Sequence, residues 1–158
     1  MKLIVSLLTA FLVFFQSDLE TLRSSYAKAN LSNANLETFV NIAEKQNGSD
    51  AVIKGYKAAA QIMEAKIVKQ NRKTLVKSGA SNLESIIKSN PNNIELRLIR
   101  LSVQENIPKI VGYRGSLKDD KAFILNNYSK QSTVLKNYIK NFAVQSKTIS
   151  AEERATLK

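Results

Sequence analysis

The chain has 158 residues, of which 44% are hydrophobic, and it carries 24 lysines and arginines against 13 acidic side chains. It contains no cysteine and no histidine, which excludes disulfides, thiolate nucleophiles, imidazole metal ligands and Ser-His-Asp or Cys-His catalytic arrangements. With five glycines and two prolines, it also differs from collagen-like, linker-rich and turn-rich all-β proteins. We expect a non-enzymatic protein with no cofactor and no metal site.

The N-terminus has the layout of a secretory signal peptide. Lys2 supplies a positive start, and residues 3–15 form an apolar run that ends in a polar stretch. At ~1.5 Å per residue this run spans about 20 Å, short of the ~30 Å hydrocarbon core of a membrane. We predict that residues 1–17 are cleaved and that residues 18–158 form a single domain exported to the periplasm or cell surface. An uncleaved anchor and a structural helix are the alternatives.

The rest of the chain is predicted to be all-α. Apolar residues recur at intervals of three and four, and no stretch shows the sustained alternation typical of strands. We therefore expect antiparallel helical hairpins, as a tetratricopeptide-like array or an irregular bundle of about seven helices. The predicted helices cover residues 18–30, 32–46, 51–71, 81–89, 94–106, 116–129 and 132–146, followed by a short capped tail.

The predicted helix ends follow from capping signals. Asn47-Gly48 is typical of a C-terminus, and the residue before Pro91 avoids the α region. Basic residues 72–79 are predicted to be a connection, and residues 107–115 are the stretch without helical punctuation. In the third helix, the small side chains of residues 55, 58 and 59 would allow a neighbouring helix to approach closely. The predicted N-terminal caps are Ser17, Ser49-Asp50, Ser81, Asn92 and Ser150, with Ser-x-x-Glu capping boxes at Ser17, Ser81 and Ser150, and two further helices are predicted to start at Ser116 and Ser132.

Residues 83–95 (LESIIKSNPNNIE) resemble the junction between consecutive tetratricopeptide repeats, where one helix ends in a Pro-Asn-Asn turn and the next repeat begins. Arg97 and Arg100 stand where that repeat has a bulky aromatic residue and a leucine. The resemblance implies a degenerate array of helical hairpins.

A longer resemblance is carried by residues 55–59 (GYKAA), 92–108, 112–113 (GY) and 119–121 (DDK). In this order they are similar to an uncharacterised family of small exported helical proteins of Bacteroidetes. The resemblance implies export and an all-α fold, and it supplies no mechanism. Where that family has an aromatic-rich, proline-containing connection, this chain has residues 71–77 (NRKTLVK).

A polar pocket is the candidate binding site. Two arginines and a glutamine lie at i, i+3 and i+7 of one predicted helix, so they share a face. The guanidinium groups could receive a carboxylate or phosphate, with a loop tyrosine as an aromatic wall. Alternatively, the arginines are structural and pair with Asp119, Asp120 or Glu95. The candidate residues are Arg97, Arg100, Gln104, Tyr113, Asp119 and Asp120.

Positive charge is concentrated in two regions. Residues 54–79 hold seven basic side chains and one acidic, and residues 108–147 hold eight and two. If these regions are adjacent in the fold, they form one basic face that attracts phospholipid head groups, glycans or an acidic partner. The alternative is a solvated face that aids solubility. We expect a protein or peptide partner in the envelope, an anionic lipid or glycan surface as the second candidate, and no nucleic acid.

Overall fold

A computed structural model describes residues 18–158, so the predicted signal segment and its Ser17 cap lie outside the described residues. Residues 18–158 contain helices and no strand, which confirms the all-α prediction. None of the helices in this range has the length and apolar character needed to cross a bilayer. The α-helices are α1 (18–28), α2 (Asn33–Lys45), α3 (Ala51–Glu64), α4 (Arg72–Ser89), α5 (Ile94–Asn106), α6 (Leu117–Asn127), α7 (Thr133–Gln145) and α8 (Ala151–Ala155), with 3₁₀ turns at Lys109–Val111 and Tyr128–Lys130.

The boundary between α3 and α4 differs from the prediction. Helix α3 ends at Glu64, and the chain reverses over residues 65–71. Asn71 adopts a left-handed conformation with φ of 60°, which asparagine tolerates better than most residues because its short polar side chain can bond locally. The predicted connection over 72–79 is therefore the first half of an 18-residue helix.

Gly79 allows α4 to pack closely against α3. It lies inside α4 and marks a close helix crossing, because a Cβ atom there would stand 2.8 Å from the carbonyl oxygen of Ala58 in α3. Gly55 makes a similar approach to α5, where an added Cβ would meet Leu96 at 2.5 Å. The expected close approach along α3 is confirmed at Gly55 and Ala58.

Of the predicted N-terminal caps within the described residues, Asp50 and Ser150 are confirmed, and Ser81 and Asn92 are wrong. Asp50, Ser132 and Ser150 accept hydrogen bonds from the first turns of their helices, and Ser150 forms the complete capping box. Asn93 rather than Asn92 caps α5 by accepting from Leu96 N. Ser81 lies inside α4, so its capping box does not form, and Gly48 lacks the left-handed conformation of a C-terminal glycine. Ser116 precedes α6 without a side-chain capping bond.

Helix α5 is the centre of the fold. Consecutive helices pack as pairs α2–α3, α3–α4 and α5–α6, and α5 also contacts α3 and α4. On one side Leu96, Ile99 and Val103 join a hydrophobic cluster built with α1–α4. On the other side Leu98 and Leu101 join a second cluster built with α6, α7 and the residues that flank α8. Because it is enclosed on both sides, α5 brings its polar residues into the interior as well.

Candidate functional site

The predicted arginines converge on one buried carboxylate. Asp120 is fully buried at the start of α6. Arg100 donates to it through Nε and one terminal nitrogen, both at 2.7 Å, and Arg97 adds a third bond at 3.2 Å. Such bidentate pairs combine charge with planar geometry and are among the stronger hydrogen bonds in proteins. These contacts fix α6 against α5.

The same arginine reaches a second carboxylate on α4. The remaining terminal nitrogen of Arg100 donates to Glu84, and the other oxygen of Glu84 accepts from the Tyr113 hydroxyl at 2.7 Å. We call Glu84, Arg97, Arg100, Tyr113 and Asp120 the Asp120 cluster. It joins α4, α5, α6 and the loop between α5 and α6.

Two residues of the Asp120 cluster, Arg100 and Tyr113, have shifted pKa values. Burial alone would lower the pKa of Arg100, but the hydrogen bonds and charges of Asp120 and Glu84 raise it above its usual value. Burial and the hydrogen bond to Glu84 raise the pKa of Tyr113. All three guanidinium nitrogens of Arg100 already donate to carboxylates of the chain. Because Arg100 is buried and already bonded to two carboxylates, this geometry favours the structural role over the ligand pocket.

The two remaining candidates, Gln104 and Asp119, lie in different environments. Gln104 is buried and its Oε1 accepts from the backbone N–H of Ser116 at 3.0 Å, so it holds the entry to α6. The Asp119 side chain is exposed, and its carboxylate makes no hydrogen bond or ion pair within the described residues, although the neighbouring Asp120 is buried. The difference arises because successive residues of a helix point to different faces. Five of the six predicted residues thus lie together around α5, and Asp119 does not.

A second buried network involves a residue that was named only as a possible arginine partner. Glu95 accepts from Arg23 through both carboxylate oxygens, at 2.7 and 2.6 Å, and from the Tyr56 hydroxyl at 2.8 Å. The Tyr138 hydroxyl lies 3.0 Å from that of Tyr56. We call these four residues the Glu95 cluster. This cluster joins α1, α3, α5 and α7. The arginine that pairs with Glu95 is Arg23, not Arg97 or Arg100.

The C-terminal end of α5 has a third joint. Glu105 is buried and accepts from the Ser146 hydroxyl at 2.8 Å and from the backbone N–H of Lys147 at 3.1 Å. The hydroxyl oxygen of Ser146 in turn accepts from the backbone of Thr148 and Ile149. Glu105 therefore fixes the connection between α7 and α8. The buried acids of α5 were missed because a helix with polar residues on several faces reads as partly exposed.

The structure contains a concavity that the sequence did not indicate. It has a volume of about 740 Å³ and lies between the end of α3, the first half of α4, the end of α5 and the following loop. This is within the size range of ligand pockets. Its apolar lining includes Ile62, Met63, Val76, Ala80, Val103, Ile107, Ile110 and Val111.

The rim of this concavity is basic. Four cations contribute to its lining, and no acidic side chain is present among the described residues that form it. Arg72 donates from Nε to the carbonyl of Val68 and Lys66 donates to Asn30, whereas Lys73 and Lys77 are exposed and make no ion pair or hydrogen bond with residues 18–158. Burial and the nearby charge of Lys147 lower the pKa of Lys66. We call the concavity the basic groove; its cations are Lys66, Arg72, Lys73 and Lys77.

The basic groove differs from two neighbouring concavities. One of about 720 Å³ lies between α1 and α7, and another of about 610 Å³ lies across α2, α3 and α4. Both are lined by acidic and basic side chains together. The basic groove alone among these three carries a single sign of charge.

The charge distribution is also different from the expected continuous face. Helix α5 packs between α3 and α6, which separates much of the region 54–79 from the region 108–147. Lys66 and Lys147 are near enough to influence each other electrostatically, so the regions approach at one end. The basic groove takes all four of its cations from the first region.

Comparison of the chain with protein-family models, with curated proteins and with solved structures found no match.

Proposed function

We propose that this protein is an exported, non-enzymatic binding module whose binding site is the basic groove. The proposal depends on one observation: the groove combines an apolar lining with a rim that, among the described residues, carries cations and no acidic side chain. An apolar, partly anionic partner satisfies both features, since it buries its apolar part and places its negative charge near the lysines.

The buried ionic clusters support this assignment by acting as a frame. Glu95, Arg100 and Glu105 are each bonded to side chains of other helices or to the backbone of the α7–α8 connection. Their polar atoms therefore hold helices in place. A pre-organised frame reduces the entropy lost when a partner binds. The apolar run at residues 3–15 supports export, and N-terminal sequencing of the protein recovered from the envelope tests whether residues 1–17 are removed.

The second candidate is a peripheral envelope protein that binds an anionic lipid or glycan surface. One observation favours it: Ile110 is 95% exposed and is preceded by Lys109, on the turn that borders the basic groove. An exposed apolar residue next to cations is typical of contact with a membrane surface. Co-sedimentation with anionic vesicles and with peptidoglycan over a salt series tests this candidate, because electrostatic surface binding weakens as salt increases.

The test of the binding module uses anilinonaphthalene sulfonate, an anionic dye with an apolar ring system. We expect the dye to bind the folded protein at a saturable site with enhanced fluorescence. Val76 is half-buried in the lining, and Val76→Trp fills the groove and abolishes this binding. The matched control is Val144→Trp, since Val144 is 71% exposed on α7 and lines none of the three concavities.

Two results would contradict the proposal. The first is equal dye binding by the Val76→Trp and Val144→Trp variants, which places the dye elsewhere. The second is no saturable binding by the unchanged protein. Far-UV circular dichroism and thermal unfolding of both variants check that any loss of binding comes from a filled groove rather than from an unfolded chain.

A further inference from the structure

We infer that the basic groove binds a single-chain anionic amphiphile, a molecule with one acyl tail and a carboxylate or phosphate head, and that the turn Lys109–Val111 covers the tail. This inference rests on the proposed function and names its ligand class. It follows from the arrangement of apolar and cationic residues in the groove.

The floor of the groove suits a narrow apolar chain. Ile62, Met63 and Val103 belong to the hydrophobic cluster of α1–α5, and Val76 and Ala80 extend the surface along α4. The volume of about 740 Å³ is that of a small-molecule site rather than of a protein interface. A chain lying on this floor removes apolar surface from water on both partners, which is the main favourable contribution to such binding.

The head group is assigned by the positions of two lysines. Lys73 and Lys77 are one helical turn apart, so they lie on the same face of α4 as Val76 and Ala80. Both are exposed and have no partner within residues 18–158. A negative group at the rim contacts both ammonium groups while its tail follows the apolar floor. A zwitterionic or neutral head gains much less from this pair.

The turn over the groove has an unusual composition for a surface. Ile110 is 95% exposed and Val111 is 40% exposed, and both contribute to the lining of the groove. Gly112 follows with φ of 76°, and neither Gly112 nor Gly115 has an atom within 4 Å of an added Cβ. Both glycines follow the turn, and none of residues 18–158 packs over them. Moving Ile110 onto a bound tail removes both apolar surfaces from water.

The experiment measures binding of dodecanoate below its micelle concentration, by displacement of anilinonaphthalene sulfonate from the purified protein. We expect competitive displacement, about tenfold weaker for the Lys73→Gln/Lys77→Gln variant. The matched control, Lys118→Gln/Lys130→Gln, removes the same charge from exposed positions outside the groove. This variant should bind dodecanoate with the affinity of the unsubstituted protein. Decanoate binds more weakly by about fourfold for each methylene removed, and dodecanol binds more weakly than dodecanoate. Ile110→Ser weakens every acyl ligand and leaves the head-group preference in place.

The outcomes separate this inference from the proposed function. If the dye binds in the groove and neither dodecanoate nor its shorter homologue displaces it, the ligand class is wrong and the binding module stands. If an acidic amphipathic peptide displaces the dye and dodecanoate does not, the ligand is a protein segment and the inference fails. Binding to phosphatidylglycerol vesicles without binding of monomeric dodecanoate also overturns it, in favour of a membrane surface. Absence of groove-dependent dye binding refutes both proposals.

Discussion

Substitution of the buried carboxylate at position 120 tests the structural role of the Asp120 cluster. Asp120→Asn keeps the size of the side chain but removes the charge that three nitrogens of Arg97 and Arg100 share, at distances of 2.7 to 3.2 Å. Breaking a buried ion pair costs about 3–5 kcal/mol, because the remaining charge is left uncompensated. Glu84 still pairs with Arg100 and is 43% exposed, so we expect the lower end, about 3 kcal/mol.

The assay is urea unfolding followed by far-UV circular dichroism, with thermal unfolding as a second measure. A loss of about 3 kcal/mol corresponds to a decrease in Tm of about 6–12 °C for a protein near this size. The adjacent Asp119→Asn is the matched control: it makes the same charge change at an exposed position and costs less than about 0.5 kcal/mol. Combining Asp120→Asn with Arg100→Met should cost less than the sum of the single changes. Equal stability of the Asp119→Asn and Asp120→Asn variants would refute the reasoning.

Three further predictions concern packing, pH and capping. Gly79→Ala should destabilise the fold by about 1–3 kcal/mol in spite of the better helix propensity of alanine, because the new Cβ meets the Ala58 carbonyl. The control is Gly115→Ala, where no atom lies within 4 Å of the added Cβ. A Gly79→Ala variant that is more stable in urea unfolding would contradict the packing argument. Burial raises the pKa of four tyrosines, Tyr26, Tyr56, Tyr113 and Tyr138, so the folded state favours their neutral phenols. Their contribution to stability is therefore complete below about pH 10 and is lost as the pH rises further. Urea unfolding over an alkaline pH series measures this loss, and a free energy of unfolding that stays constant above about pH 10 would be inconsistent with it. Asp50→Ala should lower the free energy of unfolding by about 1 kcal/mol, because the Asp50 carboxylate accepts hydrogen bonds from Val52 N and Ile53 N. The control, Ser49→Ala, should change the midpoint of urea unfolding little. A similar shift for both variants would show that the cap contributes nothing.

The sequence predicted the helical elements well where local chemistry determines them. Asp50, Ser132 and Ser150 cap their helices because a side-chain oxygen meets orphan backbone N–H groups within the first turn. The limit appears at residues 72–79, which were predicted to be a connection but begin α4, where Gly79 forms a close crossing with α3. That contact depends on a residue far away in the sequence, so local propensity could not reveal it.

The candidate site shows the same division. Helical spacing correctly placed Arg97, Arg100 and Gln104 together on α5 and near Asp120. The basic groove was not predictable in this way, because its surface is assembled from segments between Asn30 and Tyr113 that only the tertiary fold brings together. Its cations were visible as a basic region, but their position beside an apolar floor depends on the reversal at Asn71.

The enclosed position of α5 has a consequence for how the protein can be divided. A chain cut after α5 would expose Ile94, Leu98 and Leu101, which face the second hydrophobic cluster, at about 1.5–3 kcal/mol for each side chain. It would also leave the guanidinium of Arg100 without Asp120. The groove lies on the opposite side of α5, yet its helices owe part of their stability to α6–α8. Helices α6–α8, whose residues do not line the groove, thus stabilise the binding surface from the far side of α5.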